Sequence, residues 1–187
     1  IQEVEKLEIK VENTLYIADV EVKWMKEKLD MLIQDDNTYV YQGLMKEGCG
    51  TIQIKIIDIW GKEYIYETKT MVVDKQPPIL KNAQIGGLDL FETGIGYIQQ
   101  KDEFLFKVED ELSKIKMVKV FLDKYEMIAQ FKEDGFYHID LCSLPQGKYQ
   151  LEIKIEDVLG NKDHIQLAKT IIIDHHAPLI EIYRNHE

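Results

Sequence analysis

One segment of this chain occurs twice, and the repeat constrains the fold more than any other feature. Residues 51–78 read TIQIKIIDIWGKEYIYETKTMVVDKQPP, and residues 148–178 read KYQLEIKIEDVLGNKDHIQLAKTIIIDHHAP. Ile54-Lys55-Ile56 matches Ile153-Lys154-Ile155, Asp58 matches Asp157, and Gly61 matches Gly160. Further on, Lys69-Thr70 matches Lys169-Thr170, Asp74 matches Asp174, and Pro78 matches Pro178. A repeat of this length means that one supersecondary arrangement is built twice. The 187 residues therefore divide into two domains, 1–78 and 79–187.

Upstream, the copies continue to match. KLEIKVEN (6–13) alternates Leu7, Ile9 and Val11 with charged residues, and EFLFKVED (103–110) does the same with Phe104, Phe106 and Val108. Alternation at period two is the signature of a half-buried strand. Val20–Trp24 and Val118–Leu122 form the next pair, followed by short strands at Leu29–Ile33 and Tyr125–Gln130. Asp35-Asp36-Asn37 and Glu133-Asp134-Gly135 supply turn chemistry, each followed by a tyrosine, Tyr39 and Tyr137. Next come the strands Thr51–Ile57 and Tyr149–Glu156, a hairpin turn with a left-handed glycine (Gly61, Gly160), and final strands over Glu63–Val73 and Lys162–Ile173. The offset between copies grows from 97 residues at Glu12 and Glu109 to 100 at Asp74 and Asp174, through single insertions placed in loops.

Glu21–Leu32 is the one stretch with helix-friendly spacing, but its copy MVKVFLDKYEMI is β-rich, and the repeat decides for strand. Asp74-Lys-Gln-Pro-Pro78 reads as a short stiff linker. Residues 79–102 have no counterpart in the first copy and read as an irregular first strand of the second domain. The first copy's own first strand is expected upstream of Ile1, and Pro178–Tyr183 resembles the start of a further copy. The fold class expected is all-β, two tandem β-sandwiches.

At GKYQLEIKIEDVLGN (147–161), followed by Ile171-Ile-Ile-Asp174 and Pro178, the chain resembles the bacterial Ig-like repeats, which share their architecture with fibronectin type III and cadherin modules. Tyr149 stands where such sandwiches place a structural tyrosine, and Gly50 takes that position in the first copy. Trp24 lies on the strand where antibody domains bury a tryptophan. The resemblance implies an extracellular, cell-wall-associated or secreted location. It implies a non-catalytic structural, spacer or adhesive module, with neighbouring domains of the same parent chain as partners and a host or cell-wall protein or glycan as the possible ligand. As a stiff tandem array, it would be elongated in solution. The alternative is an accessory carbohydrate-binding module of a larger secreted enzyme.

The net charge is −11. Phosphate-backbone binding needs clustered Lys and Arg, so nucleic acid is excluded as a partner. No apolar run reaches membrane-spanning length, so direct membrane insertion is not expected. Cys49 and Cys142, the two cysteines, occupy non-equivalent positions in different copies, and no bridge between them is expected.

No catalytic constellation is present. Asp174-His175-His176 has the ligand types of a zinc or nickel site, but the first copy carries Asp74-Lys75-Gln76 there, and a solvated linker is the plainer reading. No cofactor is called for, with one exception: interdomain calcium. Its candidates are Asp74, Glu109 and Asp110, with Asp58 and Glu111 as possible additions. Asp35-Asp36-Asn37 is read as a turn. For binding, Trp60, Tyr64 and Tyr66 are the aromatic candidates, with Phe91, Tyr97 and Tyr125 behind them.

Overall fold

The computed structural model describes residues 5–12, 16–35, 38–92, 95–98 and 102–174. The chain forms two compact units, Ile1–Lys75 and Gln76–Glu187. No α-helix occurs among the described residues.

In the first unit the strands are β1 (Glu5–Lys10), β2 (Ile17–Trp24), β3 (Glu27–Leu29), β4 (Leu32–Asp35), β5 (Thr38–Gly43), β6 (Gly48–Gly50), β7 (Ile52–Asp58), β8 (Glu63–Glu67) and β9 (Met71–Val73). They form sheets in the orders β1-β5-β4 and β3-β2-β7-β8, with a separate β6-β9 pair. Alternation dictates the inward faces. On β2, Val22 and Trp24 are buried and Lys23 between them is half-exposed. These side chains, with Ile9, Val11, Leu29, Met45, Ile52 and Val73, make the core. Trp24 is 1% exposed, and its Nε1–H donates to the Lys46 carbonyl at 2.8 Å, so its polar edge is satisfied inside.

The second unit contains β10 (Ile79–Ile85), β11 (Leu88–Asp89), β12 (Ile95–Ile98), β13 (Glu103–Glu109), β14 (Ile115–Leu122), β15 (Tyr125–Met127), β16 (Gln130–Phe131), β17 (Tyr137–Asp140), β18 (Gly147–Asp157) and β19 (Lys162–Ile173). One five-stranded sheet runs β11-β10-β13-β17-β16 and the other β12-β19-β18-β14-β15. Residues of both sheets share one core, among them Phe104, Phe106 and Ile139 from the first, and Val120, Leu122, Ile153 and Ile171 from the second. With β10, β13, β17 and β16 as the first, second, fifth and fourth strands, the first sheet has the immunoglobulin order; the second pairs the last three long strands in the same scheme. Both units are Ig-like β-sandwich domains. Tyr149 completes the motif: it is buried at the start of β18, and its hydroxyl donates to the Pro145 carbonyl at 2.6 Å.

Several boundaries differ from the sequence reading. Leu29–Ile33 and Tyr125–Gln130, each expected as one strand, are each two short strands in different sheets: β3 pairs with β2 while β4 pairs with β5, and β15 pairs with β14 while β16 pairs with β17. The chain crosses from one sheet to the other within each segment, so no single register serves both halves. The expected strand Glu63–Val73 breaks at Thr68, whose Oγ1 accepts from the Ile52 N–H at 3.0 Å. Residues 79–85 form the first strand, irregular as expected, with its register against β13 shifting between Leu80 and Asn82, and closed onto β11 by Gly86 and Gly87, both at positive φ. Glu21–Leu32 is strand and turn, as the repeat decided. Cys49 and Cys142 are both exposed and are not joined in a disulfide. His175, His176 and 178–183 lie outside the described residues, as do Asp36 and Asn37.

Candidate binding groove

The sequence brings its aromatic candidates together in the first unit through one turn. Asp58 ends β7, and its Oδ1 accepts from the backbone N–H groups of Trp60 at 2.9 Å and Lys62 at 2.8 Å. Gly61 sits at φ 79°, a conformation glycine adopts without steric cost. The tight turn throws the Trp60 side chain outward, where it is 72% exposed. The Ile59 N–H donates to the Tyr16 carbonyl at 2.8 Å, which places the Tyr16 ring beside it; the Tyr16 and Trp60 rings stack at 5.3 Å.

β8 carries the other two aromatics. It is the edge of its sheet, and all its side chains are exposed. Tyr64 and Tyr66 share one face, paired with Ile56 and Ile54 of β7. Lys62 Nζ lies 4.9 Å from the centre of the Tyr64 ring, and the Tyr64 hydroxyl reaches Asp58 Oδ2 at 3.5 Å. Tyr16, Trp60, Tyr64 and Tyr66 line an open groove of about 720 Å³ with Ile9, Val11, Ile54 and Ile56 as its floor and Lys10, Glu12 and Asp58 as its charged members. An apolar floor with a few placed polar groups is the usual composition of a ligand cleft.

Trp60, Tyr64 and Tyr66 are thus gathered on one surface, joined by Tyr16, which the sequence reading did not single out. A signal was available in the comparison of the copies. Tyr16, Trp60, Tyr64 and Tyr66 stand where the second copy has Lys114, Leu159, Asp163 and Ile165. Aromatics confined to one copy are not needed for the shared core. Phe91 and Tyr125 belong to the second unit: Phe91 is exposed, whereas Tyr125 is half-buried and packs edge-on against Tyr149 at 6.1 Å. The Tyr97 side chain lies outside the described residues.

The calcium candidates divide between the units. Asp74 follows β9 and is half-buried in the first. In the second, Glu109 is exposed and pairs with Lys107 at 2.5 Å, which, with a smaller contribution from Lys81, holds its carboxyl below the ordinary range. Asp110 Oδ1 accepts from the N–H groups of Leu112 at 3.0 Å and Ser113 at 2.6 Å. Asp58 and Asp157 each close their own hairpin turn. Each unit supplies part of the candidate set, Asp58 and Asp74 from the first and Glu109, Asp110 and Glu111 from the second.

No family model matches the chain, and no curated protein matches it. Among solved structures it is similar to the fibronectin(III)-like modules of Clostridium thermocellum CbhA, at 11% identity and a TM-score of 0.35, over 94% of this chain and 92% of that one. It is also similar to the N-terminal Ig1-2 module of the Drosophila receptor protein tyrosine phosphatase DLAR, at 12% identity and a TM-score of 0.33, over 92% and 91%. A third likeness is to the SGBP-B protein of a Bacteroides ovatus mixed-linkage glucan utilization locus, solved with a mixed-linkage heptasaccharide. There the identity is 13% and the TM-score 0.32, over 93% of this chain, which spans 41% of the length of that one. Scores this low bear on neither fold nor function, and the architecture rests on the strand order itself.

Proposed function

We propose that this chain is a non-catalytic recognition module of an extracellular, surface-attached or secreted protein, adhesive in role, which engages its ligand through the groove of the first unit. The observation that carries this reading is the exposed Tyr16–Trp60 stack beside Tyr64 and Tyr66 over an apolar floor. A core has no use for a tryptophan 72% exposed, and contiguous exposed apolar surface marks an interaction site. The Ig-like sandwich supplies a rigid frame for it. A second reading, the carbohydrate-binding accessory module, is favoured by the same stack, because the C–H face of a sugar ring packs well on an aromatic face.

The test is a binding screen of the full chain against purified glycans and cell-surface proteins, with Trp60→Ala in parallel. Binding lost in the variant supports recognition by the groove. Binding unchanged in the variant moves the site elsewhere, and no binding at all leaves only the spacer role. Turnover of any bound ligand overturns the non-catalytic reading.

A further inference from the structure

In the second unit the chain passes from one sheet to the other at Ile128-Ala129, and a cleft of about 430 Å³ lies beside that crossing. Strands of this one unit frame it: β13 lies between β10 and β17, β16 pairs with β17, and β15 pairs with β14. Tyr125, Met127 and Ile128, from β15 and the crossing, give it an apolar wall. Pro145 joins them, its carbonyl fixed by the Tyr149 hydroxyl. The charged members are Glu103 of β13, Glu126 of β15, His138 and Asp140 of β17, and Lys132.

The repeat shows that the fold does not need these charges. The counterparts of Glu103, Glu126, Lys132, His138 and Asp140 are Lys6, Lys28, Gln34, Val40 and Gln42. The registers agree: Lys6 lies opposite Gln42 as Glu103 lies opposite Asp140, and Leu29, next to Lys28, lies opposite Val22 as Met127, next to Glu126, lies opposite Val120. The first copy has two lysines and no carboxylate at these places, whereas the second has three carboxylates and one lysine beside the histidine. Ile128, 81% exposed, stands where the first copy has Asp30. The same frame thus carries either sign of charge, and an acidic cleft with an apolar wall occurs in one copy only. Its ion pairs are exposed, Glu126 with Lys119 at 3.0 Å and Glu103 with Lys132 at 3.8 Å, and pairs of this kind contribute little.

We infer that this cleft is a receptor for an arginine side chain of a partner polypeptide. The carboxylates accept the planar guanidinium fork, and the apolar wall takes the methylene stem. Exposed Ile128 offers contact to a neighbouring apolar residue of the partner, which a free amine lacks. The chain's net charge of −11 favours the approach of a basic partner. The site has a pH dependence. His138 lies 3.0 Å from Glu103 and 2.8 Å from Asp134, and only an imidazolium can donate to both. The other charged groups beside it are Lys132 and, two positions along β17, Asp140. Guanidinium and imidazolium compete for Glu103, so the partner binds more tightly as pH rises through the His138 midpoint, and by reciprocity bound arginine moves that midpoint down.

The experiment titrates the full chain with the peptide acetyl-Leu-Ala-Arg-Ala-Leu-amide, and with a second peptide carrying citrulline, the uncharged isostere, in place of arginine. The His138 ring resonances are followed by NMR and assigned by their loss in His138→Gln. The expected result is a saturable shift with the arginine peptide, at least about tenfold weaker binding of the citrulline peptide, as for a lost charge-assisted hydrogen bond, and a lower His138 midpoint in the complex. The citrulline control needs no change to the protein, so misfolding cannot confound it. Glu126→Lys writes in the first copy's residue, which is exposed on β3, and is expected to weaken the arginine peptide by a similar factor. No saturable response, equal affinity for the two peptides, or an unmoved midpoint overturns the inference. Free arginine binding as tightly as the peptide overturns polypeptide as the occupant. A change in tryptophan emission without one at His138 also overturns it, and assigns the peptide to the first unit, where both Trp24 and Trp60 lie. The cleft belongs to the second unit, so its failure leaves the reading of the first unit's groove standing.

Discussion

Asp58 and Asp157 occupy the same place in the repeat, and the structure predicts that they are worth different amounts. Asp157 is fully buried. Its Oδ1 accepts from the N–H groups of Leu159 at 2.8 Å and Asn161 at 2.9 Å; its Oδ2 accepts from the Ser113 hydroxyl at 3.0 Å and Asn161 Nδ2 at 2.7 Å. Asp58 makes the two turn bonds, but its Oδ2 reaches only the Tyr64 hydroxyl at 3.5 Å, in the open. In Asp58→Ala, water takes over the exposed N–H groups, and the cost is about 1 kcal/mol, as for a lost cap. In Asp157→Ala, the same turn loss is joined by two part-buried side-chain donors left without an acceptor, at about 1 kcal/mol each, for about 3 kcal/mol in all. That is about 12 °C in melting temperature for a unit of this size. Tryptophan fluorescence reads the first unit, and native-state hydrogen exchange in β14 and β18 reads the second. Burial pushes the Asp157 carboxyl up, but hydrogen bonds from Asn161, Ser113 and Gly160 outweigh it and hold it below the ordinary range. Its contribution is therefore fully present above the unfolded value of about 3.9 and is lost as pH falls through the folded value. Equal costs for the two substitutions would refute the assignment of the difference to burial and to Ser113.

Tyr149→Phe removes the hydroxyl bond to Pro145 while keeping the ring, and is expected to destabilise the second unit by about 1 kcal/mol in urea unfolding. Lys26 is exposed at φ 71° in the two-residue turn between β2 and β3, so Lys26→Gly is expected to stabilise the first unit by about 1 kcal/mol, read from the tryptophan melting curve. His138 lies between Glu103 at 3.0 Å and Asp134 at 2.8 Å; the bond to Glu103 and, after the opposing effect of burial, the bond to Asp134 raise its pKa. Its NMR titration is expected to have a midpoint above 6.5, moving down in Glu103→Gln. Stability from this group is full below the unfolded value and is lost as pH rises through the folded one.

Much of the sandwich was legible because strands write their burial at period two. Val22 and Trp24, or Phe104 and Phe106, announce an inward face wherever the strand ends up, and the second copy cross-checks each assignment. Tyr149 was legible for the same reason, since its position in the repeat carries its role. The crossings at Asp30-Met31 and Ile128-Ala129 were not, because alternation says which face of a strand is buried and is silent on which neighbour it pairs with.

The groove divides in the same way. The sequence alone determined that Trp60 sits within an Asp-to-Gly turn and that Tyr64 and Tyr66 share a face, since both follow from local geometry. Only the tertiary structure brought Tyr16 against Trp60, distant in sequence, and set them over Ile9 and Val11. It alone showed that β1 pairs on one edge among the described residues, where β13 pairs on two. Strand pairing is a contact between segments distant in sequence, fixed by which sheet each segment joins, and no pattern within a single strand encodes it.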